Sequence, residues 1–443
     1  MSNTKGNKRG PNVAAKDTPS WLTTAANSIH LFSSVLGLVL PYGIRLLRLR
    51  ITTIYHTFTY KAIDSPKNIV VVGGSFAGIH VANWLANAVP TGYRVVLVEK
   101  NSHFNYLFAF PRYAVVTGYE QGAFIPYENI LSGAIKKGSL LHIHEKASGV
   151  TPSQVLLADG QAIDYAYLIV ATGSSQPPPA KMASTGREGA CDELHKLQRG
   201  VAEASRIAVL GSGAVGVEMA ADIKTYFPDK SVTLFSSRDV VMPSFGPKLQ
   251  LKVANILESI GVTIRYNARP QTLPGSKMIQ LQDRSTEEYD LVLSCTGQNP
   301  NSGILSTFLP EVISKQTGRI LVKPTLQLQP AGDSAFPNIF ALGDVAEHGG
   351  PRMARAVHVQ AGIVRDNILE LIKGRSPSHE YSPQRWIEGS IQMTVGKDQA
   401  LGYIPGDNSK DVLFTLAAYP DDFRIAHGWR LLGAKYPGRP RPN

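Results

Sequence analysis

Apolar positions first recur with helical spacing at Leu22, Ala25, Ile29, Phe32, Leu36 and Leu40, after a polar, glycine-containing stretch over residues 1–20. Pro41 and Gly43 interrupt that stripe, and Ile44, Leu47, Ile51 and Ile54 resume one face with Arg45 and Arg48 off it. From Asn68 the period changes. Ile69 to Val72 is a β-branched run that meets Gly73-Gly74-Ser75-Phe76-Ala77-Gly78, and Ile79, Ala82 and Leu85 open a helix behind it. Arg94 to Glu99 predicts a second strand, Ser139 to Ala147 a third, and Val155 to Tyr167 a hairpin. The strand Tyr167 to Val170 closes on Ala171-Thr172-Gly173, and Pro177, Pro178 and Pro179 break the pattern. Then the plan repeats: strand Arg206 to Leu210, a glycine loop, helix positions Val217, Ala220 and Ile223, and strand Val232 to Phe235. Asp290 to Cys295 is a further strand, closing on Thr296-Gly297 as the earlier one closes on Thr172-Gly173. A short strand before Gly343-Asp344, a helix from Ala354 to Leu371, and two strand-like pieces, Gly389 to Val395 and Asp411 to Leu416, complete the chain.

Strands alternating with helices predict an α/β architecture, and the repeated plan predicts two Rossmann-like three-layer domains. The expected division is a basic extension over 1–65, a first domain over 66–180 and 321–380, a second inserted at 181–320, and a small α+β region over 381–443. Each glycine loop sits between a strand and a helix, where backbone N–H groups and a helix N-terminus meet a pyrophosphate. The first loop, G-x-G-x-x-G with Ser75 in the second glycine slot, is followed 21 residues after Gly78 by Glu99, an acid placed for a ribose hydroxyl. In the second, Gly211, Gly213 and Gly216 complete the motif. Its partner strand ends in Ser236-Ser237-Arg238 rather than an acid, which favours a 2′-phosphate and hence NADPH over NADH.

Composition narrows the class. An apolar fraction of 43% suits a globular body. Leu31 to Leu40 is the most apolar run, shorter than the about 20 residues a bilayer-spanning helix needs. The net charge of +11 is concentrated at the ends: +6 over residues 1–50 and +5 over 424–443, leaving the body neutral. Basic residues beside an apolar stripe suit a helix lying in a lipid headgroup region, so residues 21–60 are expected at a membrane surface; a targeting presequence or a helix packed on the body are the alternatives. Nucleic-acid binding is disfavoured because the body carries no basic stripe. Cys191 and Cys295 stand in unrelated contexts without C-x-x-C, so a flavin-coupled dithiol is excluded. His142 and His144, two apart on a strand, read as alternating positions rather than as metal ligands.

With both loops, both Thr-Gly turns and Gly343-Asp344 in order, the chain resembles the two-dinucleotide flavoprotein reductases over roughly residues 66–400. Within them it is most similar to the apoptosis-inducing-factor-2-like, ferroptosis-suppressor type, with type II NADH dehydrogenases as cousins. The resemblance implies FAD on the first loop. It assigns Gly73, Ser75 and Gly78 to the pyrophosphate, with Gly74 and Ala77 also on FAD, Glu99 to the adenosine ribose, Arg112 to the flavin and Ala147 to the adenine. It also places Ala171, Thr172, Gly173, Asp344 and Val345 around FAD, with Asp344 on the ribityl chain. For NAD(P)H it implies Gly211, Gly213, Gly216 and Glu218, with Ser236, Arg238, Thr296 and Gly297 nearby. Glu218 and His358 are the candidates for a catalytic part in otherwise flavin-centred chemistry. The expected activity is hydride transfer from NADPH or NADH through FAD to a quinone, at an intracellular membrane, cytoplasmic or mitochondrial. A flavin oxidase or monooxygenase, a reductase for an electron-carrier protein, and a redox-sensing nucleic-acid-binding flavoprotein stay open beside it.

Overall fold

The computed structural model describes residues 43, 47, 49–131, 136–273, 276–329, 336–406 and 411–438. The chain falls into two units, Met1–Thr52 and Thr53–Asn443. In the first, the described residues are helical and Leu47 and Ile51 are exposed; the apolar stripe from Leu22 to Leu40, and Ile44, lie outside the described residues.

The second unit opens with a helix over residues 53–59 and then alternates as the pattern predicts. In order come β1 (Lys67–Val72), α1 (Phe76–Ala86), β2 (Tyr93–Glu99), α2 (Phe110–Tyr113), β3 (Leu140–His144) and β4 (Tyr167–Val170). They are followed by β5 (Arg206–Leu210), α3 (Ala214–Tyr226), β6 (Ser231–Phe235), β7 (Thr263–Arg265) and β8 (Leu291–Ser294). The chain then supplies β9 (Ile339–Ala341) and α4 (Ala354–Ile372). One parallel sheet has the order β9-β4-β1-β2-β3, the other β7-β6-β5-β8. The first sheet therefore takes its edge strand from chain that follows the whole second sheet. Ile69, Val70, Val71, Val95, Val96 and Leu97 are fully buried, because a parallel sheet covered on both faces needs apolar runs rather than alternation.

Register decides where the loops meet. Val72 pairs with Val98 on one side and Val170 on the other, and Val170 with Ala341. Gly73, Glu99, Ala171 and Leu342 consequently leave one carboxyl edge together, the place where open α/β sheets bind ligands. Leu210 pairs with Phe235 and with Ser294, which brings Gly211, Ser236 and Cys295 to the matching edge of the second sheet.

The C-terminal region holds more order than its sequence pattern suggests. Ile391–Thr394 (β10) and Val412–Leu416 (β12) form as expected, with Ala400–Ile404 (β11) between them in an antiparallel sheet. β11 is masked in sequence by Gly402, which the fold needs because a Cβ there would stand 2.4 Å from the Phe414 ring. A last helix, α5 (Ile425–Leu431), was not signalled at all. It docks through Trp429, 1% exposed, whose indole N–H donates to the Gly122 carbonyl at 2.8 Å. Emptying that site leaves a large cavity and an unpaired carbonyl, so Trp429→Ala should cost about 3–5 kcal/mol in denaturant unfolding. A loss below about 1 kcal/mol would show that the helix is not docked.

Candidate active site

The first loop closes so tightly that side chains are barred. Gly73 has φ +101°, and a Cβ on it would lie 2.5 Å from the Ala171 carbonyl; on Gly78 it would lie 1.6 Å from the Gly73 carbonyl. Gly74 faces Tyr127, whose hydroxyl donates to the Gly74 carbonyl at 2.9 Å. Ser75 precedes α1 with no side-chain cap, and the first turn carries no acid, so the helix N-terminus keeps its positive end. In front of it opens a cavity of ≈ 890 Å³. Gly73, Ser75, Glu99, Ala147, Ala171 and Thr172 line it, as do Lys181 and Asn301, which sequence reasoning did not single out.

Glu99 is buried at the end of β2. Its Oε2 accepts from the Gly74 N–H at 2.5 Å, and its Oε1 from the Asn101 backbone and side chain at 2.8 and 2.7 Å. The loop thus aims the carboxylate, which has further acceptor sites for a ribose hydroxyl. Lys181 donates to the Ser174 carbonyl; burial lowers its ammonium from the ordinary value against the pull of Asp344. Asp344 accepts from the Ser174 hydroxyl at 3.3 Å, which ties it to the cavity wall without lining it. Backbone donors, an aimed carboxylate and a half-buried cation around one cavity, with a second carboxylate behind its wall, suit an adenine dinucleotide.

Other expected residues stand elsewhere. Gly74, Ala77, Gly78, Gly173 and Val345 shape the loops and do not line the cavity. Arg112, expected on the flavin, lies outside it and is fully buried. Its Nε pairs with Asp222 Oδ2 at 2.9 Å, Nη1 donates to the Tyr226 hydroxyl at 3.3 Å, and Nη2 to the Gly396 carbonyl at 3.2 Å. Every nitrogen of the fork is engaged, so the side chain is a clamp between α2, α3 and the turn after β10. His358 packs against His80 with ring centroids 4.1 Å apart and the planes tilted by 40°, between α1 and α4, and burial holds His80 neutral down to about 3.

The second loop repeats the geometry. Gly211 has φ +109° with a would-be Cβ 2.7 Å from Thr296, and on Gly216 the Cβ would lie 1.8 Å from the Gly211 carbonyl. Gly213 and Gly297 face open space. Ser236 departs from expectation. It is fully buried, accepts from the Ser212 hydroxyl at 2.7 Å and the Arg238 N–H at 3.3 Å, and spends its own proton on the Val240 carbonyl at 2.7 Å. It builds the turn and has nothing left to give a phosphate. Arg238 is exposed beside it.

Glu218, in the first turns of α3, is half-buried and accepts from the Thr394 N–H at 3.1 Å. Burial pushes its carboxyl up to about 8, and the Asp222 charge adds to the shift. Arg112 stays charged at any working pH, so Asp222 remains its anionic partner although burial pushes that carboxyl up as well.

A family model for pyridine nucleotide-disulphide oxidoreductases matches residues 67–361. The chain belongs to that family. Fe-regulated protein 8 of Mycosarcoma maydis is 31% identical over 364 residues, 76% of this chain and 89% of that protein. Ferroptosis suppressor protein 1 of Homo sapiens is 30% identical over 376 residues, 82% of this chain and 95% of that protein. Among solved structures, the sulfide:quinone oxidoreductase of Aquifex aeolicus shares the fold, with a TM-score of 0.64 and 19% identity over 79% of this chain and 87% of that one. The protein is an FAD- and NAD(P)H-dependent oxidoreductase with the ferroptosis-suppressor type among its relatives. Its two cysteines are free, and burial raises the thiols to about 11 at Cys191 and about 12 at Cys295, which disfavours the reactive thiolate at neutral pH.

Glu218 has a measurable signature. Between pH 4.5 and about 8 the folded chain holds a proton that the unfolded chain releases, so stability falls as pH rises through that window and levels off above it. Glu218→Gln should flatten that part of the melting-temperature profile; an unchanged slope would place the carboxyl in ordinary surroundings.

Proposed function

We propose that this enzyme passes two electrons from NAD(P)H to a quinone at a membrane surface. The observation that carries the reading is an apolar helix face left exposed among the described residues. On the helix over residues 53–59, Ile54, Tyr55 and Phe58 are 60%, 69% and 83% exposed. The opposite side is anchored: His56 is buried, and the Tyr60 hydroxyl donates to the Gly138 carbonyl at 2.9 Å. Lys136 reaches the same helix through the Thr57 carbonyl at 3.0 Å, and Arg45, Arg48 and Arg50 precede it in sequence. Large apolar side chains held in water beside cations fit the headgroup boundary of an anionic bilayer, where lipid quinones reside. No helix of the described residues is long and apolar enough to cross the membrane.

FAD, when bound, supplies a two-electron carrier between donor and acceptor. The chain supplies the rest. Residues 66–180 with 321–380 hold FAD: Gly73, Ser75 and the α1 N-terminus at the pyrophosphate, Glu99 at the ribose, Lys181 and Asp344 toward the ribityl side. Residues 181–320 hold the donor on Gly211, Gly213 and Gly216, with Arg238 beside a 2′-phosphate. Glu218 holds a proton at neutral pH within reach of the second loop. With no dithiol to receive electrons, the reduced protein must give them to a diffusible acceptor. The balance is one NAD(P)H, one quinone and one proton in; one NAD(P)⁺ and one quinol out.

Under anaerobic conditions NAD(P)H should bleach the flavin absorbance and a short-chain quinone should restore it. Oxygen uptake matching NADPH oxidation, with no response to quinone, would assign an oxidase instead. Arg238→Glu should raise the KM for NADPH about tenfold and leave NADH little changed, one charge-assisted contact being of that size. An unmoved NADPH/NADH ratio would remove Arg238 from donor selection.

A further inference from the structure

The turns that close β4 and β8 do not end independently. Ser174–Ser175, after the first, runs antiparallel to Asn299–Pro300, after the second, with Ser174 opposite Pro300 and Ser175 opposite Asn299. This short ribbon joins the exits of the two parallel sheets. Asn301 fastens it with four hydrogen bonds. Its N–H donates to the Gly173 carbonyl at 2.9 Å, and its carbonyl accepts from the Thr172 hydroxyl at 2.8 Å. Its side-chain Nδ2 donates to the Thr172 carbonyl at 2.9 Å, while Oδ1 accepts from the Ser175 hydroxyl at 2.6 Å. The amide therefore grips the chain on both sides of Gly173, whose φ of +64° marks the bend.

Each end of the ribbon reaches a nucleotide loop. Toward the first loop, Thr172, Ser174, Ser175 and Asn301 line the cavity, and Ser174 bonds both Asp344 and Lys181. Toward the second, the Cys295 N–H donates to the Leu210 carbonyl at 2.8 Å, and Thr296 is what a Cβ on Gly211 would meet first. The chain from Thr296 to Asn301 thus ties one loop to the other. Backbone bonds already close the ribbon, so they do not account for the added grip of the amide.

We propose that Asn301 is a positioning residue for hydride transfer, setting how the donor-holding half meets the flavin-holding half. The proposal rests on FAD at the first loop and NAD(P)H at the second, and is independent of the acceptor. The nicotinamide gives up a hydride, two electrons and one proton together, and leaves as NAD(P)⁺. Asn301 supplies neither electron nor proton. Its part is distance, because a misplacement of about 1 Å costs on the order of a hundredfold in rate. Loss of the amide grip frees the bend at Gly173 and leaves both glycine loops unaltered.

Asn301→Asp keeps the shape and the Ser175 bond but sets a carboxylate oxygen against the Thr172 carbonyl. Ser175→Ala removes the other grip and leaves Asn301 in place. Asn299→Ala is the control, since that side chain on the same ribbon has no hydrogen bond among the described residues. FAD-loaded protein is reduced chemically and titrated with NADP⁺. The long-wavelength absorbance of nicotinamide stacked on flavin should fall to at most about a third in Asn301→Asp, and bleaching by saturating NADPH should slow at least about tenfold. NADP⁺ affinity, measured by calorimetry, should stay within about twofold, which separates misplacement from damage to the donor seat. Ser175→Ala should fall between, and Asn299→Ala should match wild type. Wild-type absorbance and bleaching in both Asn301→Asp and Ser175→Ala would overturn the proposal, as would an equal loss in Asn299→Ala. Should Asn301→Asp not fold, Ser175→Ala against Asn299→Ala decides. Absence of the stacking absorbance in wild type itself would overturn the assignment of the two seats, and the proposal with it.

Discussion

Two carbonyl oxygens, those of Gly73 and Gly211, stand where the Cβ atoms of Gly78 and Gly216 would have to be, at 1.6 and 1.8 Å. That contact brings each helix start hard against the strand before it, and everything else at the site follows from it. Only with this approach does a helix N-terminus point along a strand's end, so that backbone N–H groups rather than side chains define the place of a phosphate. The same closeness lets Glu99 reach back to the Gly74 N–H, so the acid at the end of β2 is aimed by the loop itself. Parallel register multiplies the effect, because aligned strand ends deliver Ala171 and the Gly343–Asp344 turn to the same edge without further cost.

These features were legible in the sequence because they depend on residue types that little else explains. A β-branched run ending in glycine, an acid after the next strand, and a second Thr-Gly turn can be read from one chain. Side-chain partnerships across long separations cannot. Arg112 and Asp222 are 110 residues apart, and nothing local says that the arginine's fork closes on a carboxylate of the other half rather than on a cofactor. Ser236 was legible as the residue at the strand's end, but the direction of its one proton depends on the turn at Val240. Lys181 follows a proline-rich break that reads as a linker, and only the fold turns it into the cavity. Strand β11 escaped because a strand that needs glycine against Phe414 loses the very pattern that announces strands.

The buried ion pair raises a different question. Desolvating two charges costs about as much as their attraction returns, so such a pair is weak evidence for stability by itself. Here the arginine also caps the Gly396 carbonyl and touches Tyr226, joining α2, α3 and the C-terminal sheet at a single point. Its value is positional: removing either partner would strand a charge in the core, so alternative dockings of these segments are disfavoured. Terminal helix α5 adds a second tie, through Trp429 and the close seat of Gly428 on Tyr106. The C-terminal region is therefore fixed against both nucleotide halves, although its own pattern is the least regular in the chain.

A rigid pair of nucleotide seats solves half the problem of electron transfer, namely bringing donor and carrier face to face. The other half is disposal. Two thiols pushed to about 11 and about 12 by burial, in unrelated places, cannot take electrons onward within the chain. On the reading proposed above, the acceptor comes to the protein, and Ile54, Tyr55 and Phe58, all exposed, face the phase it comes from. An acceptor that arrives from an apolar phase brings no protons with it, while a donor that gives hydride supplies one too few.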